Sequence, residues 1–313
     1  MAQPADGGLI PYQRLSRPAK VRRFVRRNPT TVAGALLLLW MVLLAVFAPY
    51  LWTVNPVDMH PVERLRAPVA GHWFGTDMYG RDSYSRVIYG ARISLLVGLV
   101  VAAITSVVGL AIGLISGFVR KLDNVIMRVM DGIMALPDLL LAISFVALTK
   151  ASVRNVIIAL VIPQTPRVVR LVRSIVLTLR EQPFVEAATA MGARIPRIML
   201  RHLLPNTLAA LIVQGTYVMA SAVLIEAGLS FLGAGTPPEI PSWGNIMAEA
   251  RSYVRVAFWL LLFPGLFLAV TVLSINLVGI LIISCGGRAC IGSVAGRGVG
   301  SGAGWAGGAA LAR

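Results

Sequence analysis

Residues 186–205 read EAATAMGARIPRIMLRHLLP, and they lie between apolar blocks long enough to cross a membrane. The residue types that could do chemistry here are few: one exposed carboxylate, small side chains, a glycine and scattered arginines. That set suits docking better than catalysis. Glu186, Ala187 and Ala188 make a compact, small-sided helical surface against which another protein can pack closely. Gly192 permits a bend that a side chain would obstruct, and Pro196 suits the first position of the next helical stretch. The expectation is a short helix over 177–191, a break near Gly192, a second stretch over 196–204, and Pro205 separating the loop from the following span. The plain alternative is a surface hairpin that only links two spans.

Other chemistry-bearing residues do not converge. Cys285 and Cys290 are the only cysteines, so they provide neither a disulfide framework nor a four-ligand metal site. His60, His72 and His202 are far apart in sequence, and an enzyme would need a convergent cluster. No catalytic residue, metal site or bound cofactor is expected.

The elements that position the loop follow from composition. The 313 residues are 57% hydrophobic and 13% charged, with mean hydropathy +0.78. Ordinary soluble domains carry about 25% charge, so an all-α integral membrane protein is expected. The formal charge of +16 falls in short segments beside apolar blocks, which is the positive-inside pattern rather than a nucleic-acid footprint. Residues 1–29 form a basic tail in which Arg22, Arg23, Arg26 and Arg27 hold the start of span 1 in the cytoplasm. No cleavage pattern follows the first apolar block, so span 1 reads as uncleaved.

Six spans are expected, at 30–50, 93–118, 125–149, 155–177, 207–227 and 257–283, with both termini cytoplasmic. Segments 51–92 and 228–256 lie outside, the loop 178–205 inside, and 93–283 forms a five-helix core. Gly98, Gly109, Gly113 and Gly117 thin faces of span 2, which lets helices approach. Asp131 and Asp138 in span 3 mark either a pore-lining face or an amphipathic turn before a short apolar stretch at 139–149. Pro163 and Pro166 should kink or unwind span 4. Arg167, Arg170 and Arg173 recur every three residues as one basic helical stripe, expected to emerge into the cytoplasm. They are too polar to face lipid at mid-depth, so the span is short and tilted or buried against other helices. Trp243 and Tyr253 are expected as membrane-interface anchors. Glu226 either lines a pathway or sits at the interface paired with Arg or a backbone group. Residues 284–313, rich in Gly and Ala and free of acids, are expected to be disordered.

The segment 186–205 resembles the EAA loop of bacterial ABC importer permeases, through Glu186, Ala187, Ala188, Gly192, Leu204 and Pro205. The strings FGTDMYGRDSYSRVIYGARISL, LSFLGAGTPPEIPSWGNIMAE and FPGLFLAVTVLSINLVG are similar to those of the dipeptide, oligopeptide and nickel permeases, and of their C-type subunit in particular. The resemblance covers about 20–280. It implies a type I permease fold in the bacterial inner membrane, a sister permease subunit, two ATPase subunits and an extracytoplasmic substrate-binding protein. It further implies peptide cargo, with nickel or another small solute as alternatives, and ATP and Mg used by the partner subunits alone. Residues 186–192 would be the helix that seats in an ATPase groove. Arg180, Arg194 and Arg201 would meet ATPase carboxylates or lipid phosphate. The string around 74–95 reads either as a loop entering span 2 or as a contact for an outside partner. After Asn276-Leu277-Val278-Gly279 the family's acidic string is replaced by ILIISCGGRACIGS. A shift of reading frame after codon 279 in a GC-rich gene produces that pattern; the alternative is a divergent tail. An ion-coupled secondary carrier would need internal repeats and broken helices with midplane ion ligands, and a bare membrane anchor would have no transport path.

Overall fold

The computed structural model describes the backbone of residues 29–295 and the side chains of 29–280. The architecture is all-helical; among the described residues the only β pairing is two isolated bridges, Val69 with His72 and Thr76 with Asp82. Among the described residues nine helices longer than a single turn follow in order: α1 Pro29–Val46, α2 Ser83–Phe118, α3 Arg120–Met134, α4 Asp138–Thr149, α5 Val153–Arg180, α6 Pro183–Ala190, α7 Ile195–Phe231, α8 Trp243–Ala250 and α9 Trp259–Ala295. Five of these (α1, α2, α5, α7 and α9) are long and apolar enough to cross a membrane, and α3 with α4 makes a sixth if the bent pair is counted as one span.

That bent pair resolves the choice left open at Asp131 and Asp138. The chain turns by 85° between α3 and α4, at the Pro137 that precedes α4. The residue before a proline is pushed out of the helical region, so an amphipathic α3 ends and a 12-residue apolar α4 begins.

The structure corrects three other expectations about helix continuity. α2 begins ten residues before the expected span, because the Asp82 side chain accepts from the Ser85 backbone N–H and caps its first turn. α5 keeps one helical run through both Pro163 and Pro166, which are buried between neighbours; packed helices confine such prolines without unwinding them. Pro205 does not interrupt α7. A π-turn over Met199–Leu203 leads into it, closed by the Leu204 N–H on the Met199 carbonyl, and proline lies where the helix needs no donor. The non-helical part of the inner loop is therefore much shorter than 178–205.

At the other end, α9 carries its helix through Ala295, so residues 284–295 are not the irregular tail expected from composition. Extending an existing helix requires no new nucleus. Residues 296–313 and the basic tail before Pro29 lie outside the described residues.

The most extensive seam is α2 against α5. Gly109, Gly113 and Gly117 face Val168, Val172 and Val176, each glycine over one valine. Both rows repeat every four residues, so they stay in register down the seam. Gly98 plays the same part against Val223 of α7. The remaining apolar contacts form one cluster around α2, α4, α5, α6 and α7, a second around α1, α2, α8 and α9, and a small third one at Ala250, Ala257 and Leu260.

Candidate functional site

α6 is built on Pro183, which occupies its first turn after an extended Gln182. Glu181 and Gln182 are the true break after α5. Val185 and Ala188 point into the core, beside Ile198 and Leu203 of α7. The helix ends in a Schellman arrangement: the Ala193 N–H donates to the Ala188 carbonyl at 3.0 Å and the Gly192 N–H to Thr189 at 2.9 Å. Gly192 has φ +77° and open space where a Cβ would stand. Its glycine is thus required by backbone conformation and not by crowding.

With 185 and 188 inward, the outward surface of α6 carries Phe184, Glu186, Ala187 and, just beyond the helix, Met191. Glu186 forms no ion pair or side-chain hydrogen bond among the described residues. Leu204 is half-buried and Pro205 exposed, both at the foot of α7 and away from the α6 surface. Of the three arginines singled out, Arg180 donates to the Phe118 carbonyl at 3.3 Å, while Arg194 and Arg201 are exposed. Arg120, Lys121, Arg180 and Glu186 line an open cavity of about 720 Å³ with Phe118 and Val185 among its apolar walls.

The basic stripe of α5 is not solitary. Arg167 pairs with Asp138 at 2.7 Å, Arg170 with Asp131 at 2.6 Å and Arg173 with Asp123 at 2.5 Å. Ser116 donates to Asp123 and Gln164 to Asp138. The sequence showed the arginines and two of the acids but not their pairing. The readable signal was three acids on one segment followed, after a short turn, by three arginines on the next.

At the end of the bundle opposite α6, the string GTDMYGRD folds inward. Arg86 and Arg81 are buried, and both meet Asp77 at 2.6 Å and Glu249 of α8 at 2.5–2.7 Å. His72 bridges Asp82 at 3.0 Å and Glu63 at 3.2 Å. The hydrogen bond to Asp82, outweighing partial burial, raises the His72 pKa. Asn245 donates to the Pro237 and Ile240 carbonyls and pins the loop before α8. The polar residues of this string are therefore used within the chain as a clamp between α2 and α8.

Of the three residues singled out for the interface or the path, Trp243, Tyr253 and Glu226, two are fully buried. Trp243 is fully buried; its indole N–H donates to the Val87 carbonyl at 3.0 Å. An interfacial ring must be exposed on one side, and Tyr50, Trp52, Trp73 and Phe258 are among the exposed aromatics at that end. Tyr253 lies under the Arg64 guanidinium, 5.8 Å from ring centre. Glu226 is also fully buried, accepting from Ser94 at 3.3 Å and Ser230 at 2.9 Å. Among the described residues it has no arginine partner, and its carboxyl joins α2 to α7. Among the described residues no group of three or more His, Cys, Asp and Glu could hold a metal ion.

Residues 109–284 match the family described as binding-protein-dependent transport system inner membrane component, and residues 19–68 match the N-terminal transmembrane domain of oligopeptide transport permease C. The chain is 52% identical to a probable peptide ABC transporter permease protein of Sinorhizobium fredii, over 83% of this chain and 89% of that one. It is 40% identical to a dipeptide transport system permease protein of Alkalihalophilus pseudofirmus, covering 82% and 84%. Against a probable D,D-dipeptide transport system permease protein of Escherichia coli the identity is 37%, covering 84% and 91%.

Proposed function

Because this chain belongs to the family of binding-protein-dependent transport system inner membrane components, we propose that it moves peptides and that α6 is where ATP drives it. The chain is a multi-pass inner-membrane permease subunit of an ATP-driven ABC importer, not an enzyme. Family membership carries with it an ATPase, a binding protein and a sister permease. Membership also sets aside the secondary carrier and the bare anchor. Peptide cargo is supported by the names of relatives that align over more than four fifths of the chain, all of them peptide or dipeptide permeases.

The observation that carries the coupling reading is the two-sided construction of α6. Val185 and Ala188 tie it to the core, while Glu186 stands exposed and unpaired beside Ala187. A helix held this way moves with the bundle and offers a partner one charge on a small-sided surface. Gly192 fixes where the helix stops, and Leu204 and Pro205 set the foot of the span that must move. Arg180, Arg194 and Arg201 flank this surface as cations for carboxylates on the ATPase. In this reading α6 and both chain ends face the cytoplasm. ATP binds the closed ATPase dimer better than the open one, and that difference in affinity shifts the permease between its states.

The test is co-purification of the tagged chain from its native membrane, followed by mass spectrometry. Wild type should carry an ATPase and a sister permease. Glu186→Ala should weaken ATPase recovery, and Gly192→Pro, which cannot adopt φ +77°, should abolish it while the sister permease remains. Equal recovery from all three chains would overturn the coupling assignment. Uptake of a labelled dipeptide by cells carrying the operon, absent when the chain is deleted, tests the cargo.

A further inference from the structure

The row of ion pairs between α3–α4 and α5 stands at an unusual depth. α5 has 28 residues, about 42 Å at 1.5 Å per residue, against a hydrocarbon core about 30 Å thick. Arg167 is about 20 Å from either end of the helix, and Arg173 about 10 Å from the Arg180 end. Centred on the helix, the hydrocarbon layer contains all three arginines.

Yet these groups are not covered by their own chain. Side-chain exposure is 33% and 22% for Arg167 and Asp138, 43% and 57% for Arg170 and Asp131, and 30% and 17% for Arg173 and Asp123. The opposite face of α5 carries Val168, Val172 and Val176, fully buried against α2. Charged side chains within a membrane face protein interiors or water-filled cavities and not lipid. One further group points the same way. Gln164 is completely buried, one turn from Arg167; its amide donates towards Asp138 while its Oε1 has no partner.

We propose that this face, from Asp138–Arg167 through Asp131–Arg170 to Asp123–Arg173, lines the water-filled transport path. The inference rests on the importer reading and deepens it by naming the path-facing residues. Half-exposed ion pairs keep the path hydrated at its middle. They also offer carboxylates and guanidiniums in alternation, which suits charged and zwitterionic solutes such as unblocked peptides. Asp123 and Asp131 stand on α3 and Asp138 opens α4, so the acids reach α5 from both sides of the 85° break.

The experiment is thiol labelling of the assembled importer in inside-out vesicles, with Cys285 and Cys290 replaced by Ser. Gly132→Cys is the main probe, because it neighbours Asp131, breaks no ion pair and has open space around its Cβ. Asp131→Cys and Asp138→Cys report on the row itself. Leu36→Cys, 62% exposed on apolar α1, is the lipid-facing reference and Val172→Cys the buried one. The reagent is a sulfonated methanethiosulfonate. The row should react at least tenfold faster than Leu36→Cys at rest, and at least tenfold slower once the ATPases are trapped with ATP and orthovanadate.

Rates equal to the lipid reference place the row against lipid, and rates equal to Val172→Cys place it under the sister permease. Rates unchanged by trapping place it outside the gated path. Any of these outcomes overturns the inference. Recovery of ATPase with each variant is scored separately, so failure of the importer reading, which removes the ATPase itself, is distinguishable from failure of the path assignment.

Discussion

Substituting Gly113 by Ala adds one carbon to the close-packed seam between α2 and α5. A Cβ there would stand 2.7 Å from the Val172 Cβ and 2.9 Å from its Cγ1. Carbon pairs rest at about 3.5–4.0 Å, so α2 and α5 must separate by about 1 Å. A gap of that size forfeits roughly a quarter to a half of the attraction between each pair of lining atoms. Crowding a filled core costs about 1–3 kcal/mol. Against it stands the helix propensity of Ala over Gly, about 0.8–1.0 kcal/mol. The balance is a change between about zero and a loss of about 2 kcal/mol.

Two further chains separate the terms. Gly132→Ala meets nothing within 4 Å, so only the propensity gain remains and the chain should be stabilised by about 0.5–1 kcal/mol. Gly113→Ala combined with Val172→Ala relieves the overlap, and the pair should couple by at least ~0.5 kcal/mol. The assay is SDS titration of the detergent-purified chain, read by helical circular dichroism. Gly113→Ala stabilised as much as Gly132→Ala, or a strictly additive double variant, would refute the close-packing argument.

Four other outcomes follow from the same structure. Glu249→Ala leaves the buried Arg81 and Arg86 with only Asp77 and should cost about 3 kcal/mol; thermal inactivation of the purified importer measures it. His72 has a raised pKa, so its tie to Asp82 and Glu63 is complete below about pH 6.5 and lost as pH rises through the higher folded value. Protease cutting of the 60–82 segment should accelerate across that window, and His72→Gln should show no such acceleration. Gly192→Val forces a branched side chain to φ +77° and should cost at least ~1–2 kcal/mol, visible as faster cleavage at 190–195 without loss of the transmembrane core. Trp243→Phe keeps the ring but removes the bond to Val87, and SDS titration should show a loss of about 1 kcal/mol.

Much of the molecule is legible from neighbours in sequence. Apolar runs of bilayer length give the spans, because the only requirement is that backbone groups be satisfied within the helix itself. The glycine row at 109, 113 and 117 announces a close approach, although not its partner. Glu186, Gly192 and the prolines around them announce a short exposed helix with a fixed stop, since caps and turns are local. The family strings are legible for the same reason.

Tertiary structure alone decided what each buried polar group meets. Trp243 reaches a carbonyl 156 residues away and Arg86 a carboxylate 163 residues away. No spacing rule over one or two turns spans such distances. Glu226, read as a pathway or interface residue, finds a serine from α2. Pro163, Pro166 and Pro205 look like breaks when considered singly, but packing on both sides, or a preceding π-turn, keeps the helix whole. The arginines of α5 were visible as a stripe, while the bend at Pro137 that delivers three acids to them was not. Periodicity and hydropathy are local quantities and survive in one dimension; the partner of a charge is set by which helices lie side by side, and only packing determines that.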